Sequence, residues 1–581
     1  MSQKRCLIIA LTPLETTLEA LMALRAATQV YPFLELHLLV QQDQARLIES
    51  VPWIESVSSL PRVPRGESEF FDREVKATVR ELRQQKWDYL INWTFSEAGS
   101  YLNVLIPAKV KFGYSRSSDQ KLSACDGWTQ FIQGIVLTGV DQNIHLTDIL
   151  TTQFLTALQI HEGEPKESTH SPLLHKGFFS VRANLSLLEP LTQDPARKWM
   201  LVDLTQMPAG WEVVDWAEFA TYLLSKHPEY GVLGVGHDAE TVDQFRELVQ
   251  DCIDVDDSRL IGRVVLPGSP EWVTLLSRCT WTVSQNTAQI QLASILGTRV
   301  LNLSVHPYRH RIFGPYGNGH YVISPQSTSL ESPSSEAVYS VWSYGSQEWS
   351  HRRQISLECH IRRLGFWDHF DQLSVARSRI RNSTDGGGVV YEAQLERPHS
   401  ISDWTAQIYG QIARTWYCGW TPPVAQELER KNLSPELIQR VRKVRDATSV
   451  LKKVCNEAQR TAIELQGKSQ RLRSDRLMPI ETRQEIQNLG KKLAELDQLV
   501  IRLAEAEATL SGFAQMSRVM MHNLKGSAIS DLSEESAQNY QHLLQGITIF
   551  EQWVEATLNL VKPTAVPLEA QNIHESNPNP S

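Results

Sequence analysis

Apolar residues gather in short unbroken runs along the first 330 positions, and amphipathic stretches separate them. Cys6 to Leu11 (CLIIAL) is apolar without alternation, the pattern of a strand buried on both faces of a parallel sheet. A helix over Thr16 to Gln29 follows, then strand Leu36 to Val40, a helix near Phe71 to Gln85, strand Tyr89 to Trp93, helix Ala98 to Ile106 and strand Lys109 to Tyr114. The alternation restarts with strand Trp199 to Leu204 (WMLVDL), helix Trp216 to Lys226, strand Tyr230 to Gly236 and a helix near Ala239 to Val249. Strand Arg263 to Leu266 and helix Pro270 to Leu276 complete it. Strand, helix, strand in repetition predicts an α/β fold of two doubly wound domains, 1–165 and 175–330. The polar, proline-bearing run Glu162 to Pro172 is read as the linker between them.

The period changes near the C-terminus. Ser434-Pro435, a cap followed by proline at the first helical position, opens a long helix. Leu437, Val441, Val444, Thr448, Leu451, Cys455, Ala458, Ala462 and Leu465 recur at alternating 4 and 3 spacing, a heptad seam. A second seam runs through Ile486, Leu489, Leu493, Leu496, Val500 and Leu503, and a third amphipathic helix carries Leu543, Ile547, Phe550, Val554, Thr557 and Val561. Residues 434–562 are therefore expected to form a coiled-coil hairpin or bundle, and 563–581 have the composition of a disordered tail. Between the two regimes, 331–433 is a poorly defined segment rich in Trp and His without clear period. It holds a turn cluster, Ser383 to Gly388, before a strand at Val389 to Tyr391.

Composition narrows the class. The chain has 581 residues, 41% hydrophobic and 21% charged, which describes several globular domains rather than a disordered chain. A net charge of -9 argues against a general nucleic-acid binder. Seven scattered cysteines without a C-x-x-C pair suggest neither a zinc site nor a disulfide framework, as in a reducing compartment. No apolar run reaches about 18 residues, and the N-terminal run lacks a cleavage signature, so a cytoplasmic protein is expected.

The stretch Cys279 to Gly317 carries the candidate chemistry. A short strand (Thr280 to Ser284) meets a helix from Ala288 to Leu296 through the polar turn Gln285-Asn286-Thr287. Gly297 closes that helix, and strand Arg299 to Val305 leads to a loop rich in His, Pro and Arg. Such a turn aims unpaired backbone N–H groups and the positive end of a helix dipole at one point, a natural seat for phosphate. Asn286 and Thr287 are both good capping types. An ordinary capped helix of an α/β domain reads the same way.

In this stretch Asn286-Thr287-Ala288, Gln291, Ser294, Gly297-Thr298 and Gly314-Pro315-Tyr316-Gly317 resemble the C-terminal signature of glycosyltransferase family 9, the ADP-heptose:lipopolysaccharide heptosyltransferases. Leu24-Arg25-Ala26, Trp87 to Ile91, Lys111-Phe112-Gly113-Tyr114, His145 and Asp148 resemble motifs of that family's first half. The likeness spans about 320 of 581 residues. It implies the GT-B architecture, two Rossmann-like domains with a nucleotide-sugar in the cleft. It also implies a metal-independent transferase with no cofactor, an ADP-heptose-like donor, and a cell-envelope or protein glycan as acceptor. Lipopolysaccharide biosynthesis would be the setting.

The frame is kept while polar site residues change. Asn286 stands for the family's acid, Ala288 for its glycine and Gln291 for its histidine. No basic residue stands in Met207 to Trp211, where the family has a lysine. Asn286, Thr287, Ala288 and Gln291, with Arg309 and Arg311 of the loop before Gly314, become the candidate diphosphate contacts, and Glu15 the candidate base. Arg309 and Arg311 fit a solvated basic loop equally well, and Glu15 an acid in a helix's first turn. Two functional readings stand: a divergent glycosyltransferase, or a catalytically degenerate GT-B module that binds partners or itself through 434–562.

Two further features belong to the helical region. Leu437 to Arg476 holds 11 Lys/Arg against 4 Asp/Glu, which suits either a solvated face or peripheral contact with an anionic membrane such as the inner membrane. His522-Asn523-Leu524-Lys525-Gly526-Ser527 resembles the phosphoacceptor motif of histidine phosphotransfer domains, which implies an exposed histidine within a helix. A plain surface histidine is the other reading.

Overall fold

The structure, a computed structural model, describes residues 3–61, 73–116, 121–162, 178–180, 185–208, 210–266, 268–306, 309–326, 333–347, 356–364, 366–370, 373–380, 388–395, 400–418, 433–474 and 480–561. The expected linker beyond Glu162, most of the 383–388 turn cluster and the tail after 563 lie outside the described residues.

The first domain is a six-stranded sheet. Its strands are β1 (Lys4–Ala10), β2 (Leu34–Gln41), β3 (Ser56–Leu60), β4 (Trp87–Asn92), β5 (Ala108–Arg116) and β6 (Leu122–Ala124). They run in the order β3-β2-β1-β4-β5-β6, parallel except for the β5–β6 pair. Five of the seven residues of β1 are buried, as an unbroken apolar run requires of a strand covered on both faces. Sequence periodicity missed β3, whose SVSSL carries too little apolar signal. Gly113 holds β5 against its neighbour: its φ is +84°, and a Cβ there would stand 2.0 Å from the Asn92 carbonyl oxygen. A side chain is excluded on both counts.

The second domain is an eight-stranded sheet. Its strands are β7 (Lys198–Asp203), β8 (Tyr230–Gly236), β9 (Leu260–Val264), β10 (Trp281–Ser284), β11 (Arg299–Leu303), β12 (Tyr321–Pro325), β13 (Leu373–Ile380) and β14 (Val389–Ala393). The parallel part runs β9-β8-β7-β10-β11-β12, the 3-2-1-4-5-6 order of a dinucleotide-type fold, and β13 and β14 extend it antiparallel. β9 begins three residues earlier than the sequence pattern placed it. The two domains together form the GT-B arrangement.

The segment expected to be undefined, 331–433, is shared out between two units. Helix Ser335–Ser346 packs on helix Val213–Lys226, and β13–β14 lengthen the second sheet. Helix Ile401–Cys418 instead joins the C-terminal helices. Those helices are Pro435–Ser474, Ile480–Glu505, Ser511–His522 and Ile529–Val561. Every residue of the first seam, Leu437 through Leu465, is buried. The Leu437 N–H donates to Ser434 Oγ at 3.1 Å, so the serine caps as expected. The 435–474 helix packs chiefly on the 529–561 helix.

This helical unit is docked on the first domain. The Ala124 N–H donates to Asn523 Oδ1 at 2.6 Å, and helix Ser511–His522 lies against the helical turns Gly127–Phe131 and Ile132–Val136. The 401–418 helix touches all three units. Its Tyr417 ring stacks near Trp128 at 4.9 Å, its Asp403 pairs with Arg311 of the second domain, and its Trp404 donates to Thr557 Oγ1 at 2.9 Å. Among the described residues no helix is long and apolar enough to cross a membrane.

Candidate functional site

In each sheet the order in which strands are added reverses once, between β1 and β4 and between β7 and β10. Beyond the carboxyl ends of the strands at such a point the connections diverge and leave a crevice. In the second domain this point is built around the buried Asp203, the last residue of β7. Its Oδ1 accepts from the Thr205 N–H (2.9 Å) and Thr205 Oγ1 (2.6 Å), and its Oδ2 accepts from Ser284 Oγ (2.6 Å). Burial pushes this carboxyl above the usual range, against the pull of the three hydrogen bonds.

The brace passes through Ser284 and Thr205 to the next turn. The Asn286 N–H donates to Ser284 Oγ at 2.8 Å, and Asn286 Nδ2 to Thr205 Oγ1 at 3.3 Å. Asn286 Oδ1 then caps helix Thr287–Leu296 by accepting from the Ala288 N–H at 3.1 Å. The Ile290 N–H makes the first bond of the regular ladder, to the Asn286 carbonyl. The Thr287 and Gln289 N–H groups, in the first turn, have no place in that ladder. Asn286 and Thr287 are half-buried and Ala288 is buried.

That corner faces the first domain. Helix Leu14–Val30 packs on the 287–296 helix, and Leu14 lies so close to Gly268, after β9, that a Cβ there would meet its Cδ2 at 2.4 Å. Arg46 pairs with Glu271 at 3.1 Å across the same seam. On the first-domain side the loop after β1 is held by Gln41 and Gln44, whose Nε2 groups donate to the Thr12 carbonyl at 3.0 and 2.7 Å. Glu15 sits half-buried in the first helical turn beyond that loop.

Gln291 and Arg311 stand elsewhere than at an open phosphate seat. Gln291 is fully buried, and its Nε2 donates to Glu19 Oε1 (3.0 Å), the Phe313 carbonyl (3.1 Å) and the Gly314 carbonyl (2.9 Å), which ties the domains together. Arg311 is engaged by Asp403 of the 401–418 helix, an ion pair that fastens the helical unit to the second domain. Arg309 is exposed, with its guanidinium 5.4 Å from the Phe313 ring centre, and its charge acts on Glu19.

Glu19 is the acid that sequence reasoning passed over. Burial, reinforced by the Glu15 carboxylate one turn earlier, pushes it well above the carboxylate range, and Arg309 opposes the shift. Burial thus favours its neutral form, and no protein group bonds its Oε2 among the described residues. Gln291 Oε1 and both polar atoms of Gln289 share that condition. The signal was in the sequence: one acid between Leu18 and Ala20 in a helix apolar on nearly every side. Asp203, Thr205 and Ser284 gave no such signal, because only strand order brings them together.

The Gly314-Pro315-Tyr316-Gly317 segment is a clasp between domains. His145 accepts the Thr147 N–H at Nδ1 (3.2 Å), so its Nε2–H donates to the Gly314 carbonyl at 2.8 Å. Burial brings this imidazole down to about 4, which keeps it neutral. Tyr316 OH (2.6 Å) and the Val389 N–H (3.0 Å) donate to Asp148, whose carboxyl burial raises to about 6.

A pH prediction follows from Asp148. Its folded value lies above its unfolded one, so the stability it contributes is complete below about 3.8 and lost as pH rises through about 6. Asp148→Asn removes that loss. Relative to the wild type, the variant should gain up to about 3 kcal/mol on going from pH 4 to pH 8. Urea unfolding at the two pH values measures this, and a variant-to-wild-type difference independent of pH contradicts it.

His522 is exposed and helical, as the phosphoacceptor likeness implied, but it is the last residue of its helix. Asn523 is the C-terminal cap, and Lys525 and Gly526 follow in a loop. The His522 Nε2 lies 3.0 Å from the Leu122 carbonyl, and the Lys525 and Gly526 N–H groups donate to Glu535. Lys525 and Gly526 therefore lie beyond the helix that carries His522. Among the described residues no cluster of His, Cys, Asp and Glu could hold a metal ion.

No family model matches this chain, and no curated protein does. Among solved structures it is similar to the Escherichia coli heptosyltransferase WaaC with ADP, at 16% identity and TM-score 0.44 over 59% of this chain and 100% of that one. It is also similar to a family 9 glycosyl transferase from Veillonella parvula, at 15% identity and TM-score 0.41 over 63% and 98% of the two chains. A third is the Escherichia coli ADP-heptose lps heptosyltransferase II, at 12% identity and TM-score 0.39 over 54% and 87%. Likenesses this distant carry no functional weight, and the architecture rests on the two strand orders.

Proposed function

We propose that this chain binds a nucleotide-sugar at the 286–288 corner and transfers the sugar to a glycan or glycolipid hydroxyl without a metal. One observation carries the reading: a capped helix start at the β7/β10 switch point, facing the first domain across the seam. The first-turn N–H groups of Thr287 and Gln289 and the helix dipole would receive the diphosphate, and the Arg309 guanidinium would add positive charge. In the transfer the acceptor oxygen bonds to the anomeric carbon as the bond from that carbon to the diphosphate oxygen breaks. The acceptor proton passes to Glu15, and charge developing on the leaving diphosphate is met by the helix start. Gln291 and Arg311 are assigned to holding the units together rather than to donor contact. The donor class is ADP-heptose or a related nucleotide-sugar, which rests on the family 9 likeness of the sequence.

Thermal melting of the full chain with ADP, UDP and their sugars tests this. A bound nucleotide at a hundredfold excess over its dissociation constant stabilises the folded state by about 2.7 kcal/mol. The expected result is a raised midpoint with ADP, together with release of ADP from the sugar nucleotide in the presence of acceptor glycan. Stabilisation without release would leave a binding module, and no stabilisation by any of these ligands removes the proposal.

A further inference from the structure

The long 435–474 helix has a second face that the described residues leave exposed. Its buried seam, Leu437 through Leu465, lies against neighbouring helices. Nearly opposite runs the row Arg442, Arg445, Ser449, Lys453, Asn456, Arg460, Ile463, Gly467 and Arg471. At about 100° per residue these nine positions fall within a sector roughly 80° wide, and at 1.5 Å per residue they extend about 44 Å. All are exposed except Asn456, which is half-buried. The row holds five cations and no acid, and Ile463 stands 53% exposed within it.

The helix's acids lie beside the row rather than in it. Glu457 pairs with Lys492 and Glu464 with Lys468. Asp446 stands 3.5 Å from Arg445 at the edge. The groove beside Arg445 and Ser449 is lined on its far side by Glu551, which Lys452 takes, and by the exposed Glu555. Cations are thus concentrated on the outward line while acids flank it, in a chain whose net charge is -9. Ordinary solvation of a helix needs no such sorting.

We infer that this stripe is a docking surface for an anionic phospholipid bilayer. A straight row on a rod meets a flat plane along its whole length. Each lysine or arginine brought to an acidic bilayer strengthens binding roughly fivefold, and an exposed isoleucine can enter the headgroup boundary. A nucleic-acid strand is the poorer match, because the row contains no aromatic side chain for bases to stack on. The inference is independent of the nucleotide reading.

Co-sedimentation of the full chain with phosphatidylcholine vesicles, with and without phosphatidylglycerol, tests it. Binding should require the anionic lipid and weaken as salt rises from 50 to 500 mM (about one Debye length of 14 Å falling to 4 Å). The variant R442Q/R445Q/K453Q/R460Q/R471Q should bind at least tenfold more weakly, with melting and circular dichroism unchanged. A control, K76Q/R80Q/R83Q on exposed positions of helix Arg73–Gln84, removes charge elsewhere and should bind as the wild type does. Equal sedimentation with neutral vesicles, or equal loss in both variants, overturns the inference. So does retention on heparin without vesicle binding, which would assign the stripe to an acidic polymer.

Discussion

Trp404→Ala is expected to destabilise the helical part of the protein by about 4 kcal/mol. Trp404 is fully buried on the 401–418 helix, its indole N–H donates to Thr557 Oγ1 at 2.9 Å, and its ring meets Phe550 edge-on at 5.4 Å. Alanine removes a large apolar side chain and leaves a cavity, while Thr557 Oγ1 keeps its bond to the Trp553 carbonyl. The loss should spread, because the same helix reaches the first domain through Tyr417 and Arg414 and the second through Asp403. Arg414 donates to the Asn143 carbonyl at 3.1 Å, so the joint is polar as well as apolar. Urea unfolding followed by far-ultraviolet circular dichroism should show a transition at lower denaturant, detached from that of the α/β domains. A single transition shifted by less than about 1 kcal/mol would mean that the helix is not the joint between units.

Asp203→Ala is expected to cost a similar amount, roughly 3–5 kcal/mol, and to abolish the thermal response to ADP. The carboxyl accepts from Ser284 Oγ at 2.6 Å and from the Thr205 N–H at 2.9 Å, and the other acceptor of Ser284 Oγ, the Asn286 carbonyl, lies at 3.4 Å. Removing it leaves those donors without a strong partner in a buried site, and each such loss costs about 1–3 kcal/mol. The same change frees Ser284 and Thr205, which position Asn286 and hence the helix cap. Asp203→Asn separates the two effects. It keeps the volume and one carbonyl acceptor, so stability should fall less while ADP response still declines. An Asp203→Ala protein that unfolds early yet keeps the full ADP shift would place the nucleotide elsewhere.

Much of the fold was legible because hydrophobic period is local. Strand Tyr230–Gly236 and helix Pro270–Leu276 begin and end where the pattern put them. The Ser434 cap and the buried seam behind it follow from spacing alone. Segment 331–433 was opaque for the converse reason. β13 reads LSVARSRI, an inner strand of the antiparallel extension whose Arg377 is half-buried and Arg379 exposed, and the 401–418 helix packs on the first domain and on the C-terminal helices while Asp403 reaches the second domain. A helix covered from several sides has no single apolar stripe to show.

The candidate site divides in the same way. Asn286 capping its helix was readable, since a strand, a polar turn and a helix lie next to one another in the chain. Gln291 and Arg311 were sound choices by type, and chain geometry alone could not show that Glu19 and Asp403 engage them from 272 and 92 residues away. The brace around Asp203 joins residues 81 positions apart.

What the sequence determined by itself was the inventory of elements, the capped helix start and the basic character of the long C-terminal helix. Tertiary structure alone decided which side chains those elements set opposite one another. Local pattern responds to neighbours three or four residues away, whereas the hydrogen bonds and ion pairs at the seam depend on strand order and on how separate units dock. Charge on the outward stripe shows both at work: its residues were countable from the chain, but its exposure exists because the opposite face found a partner.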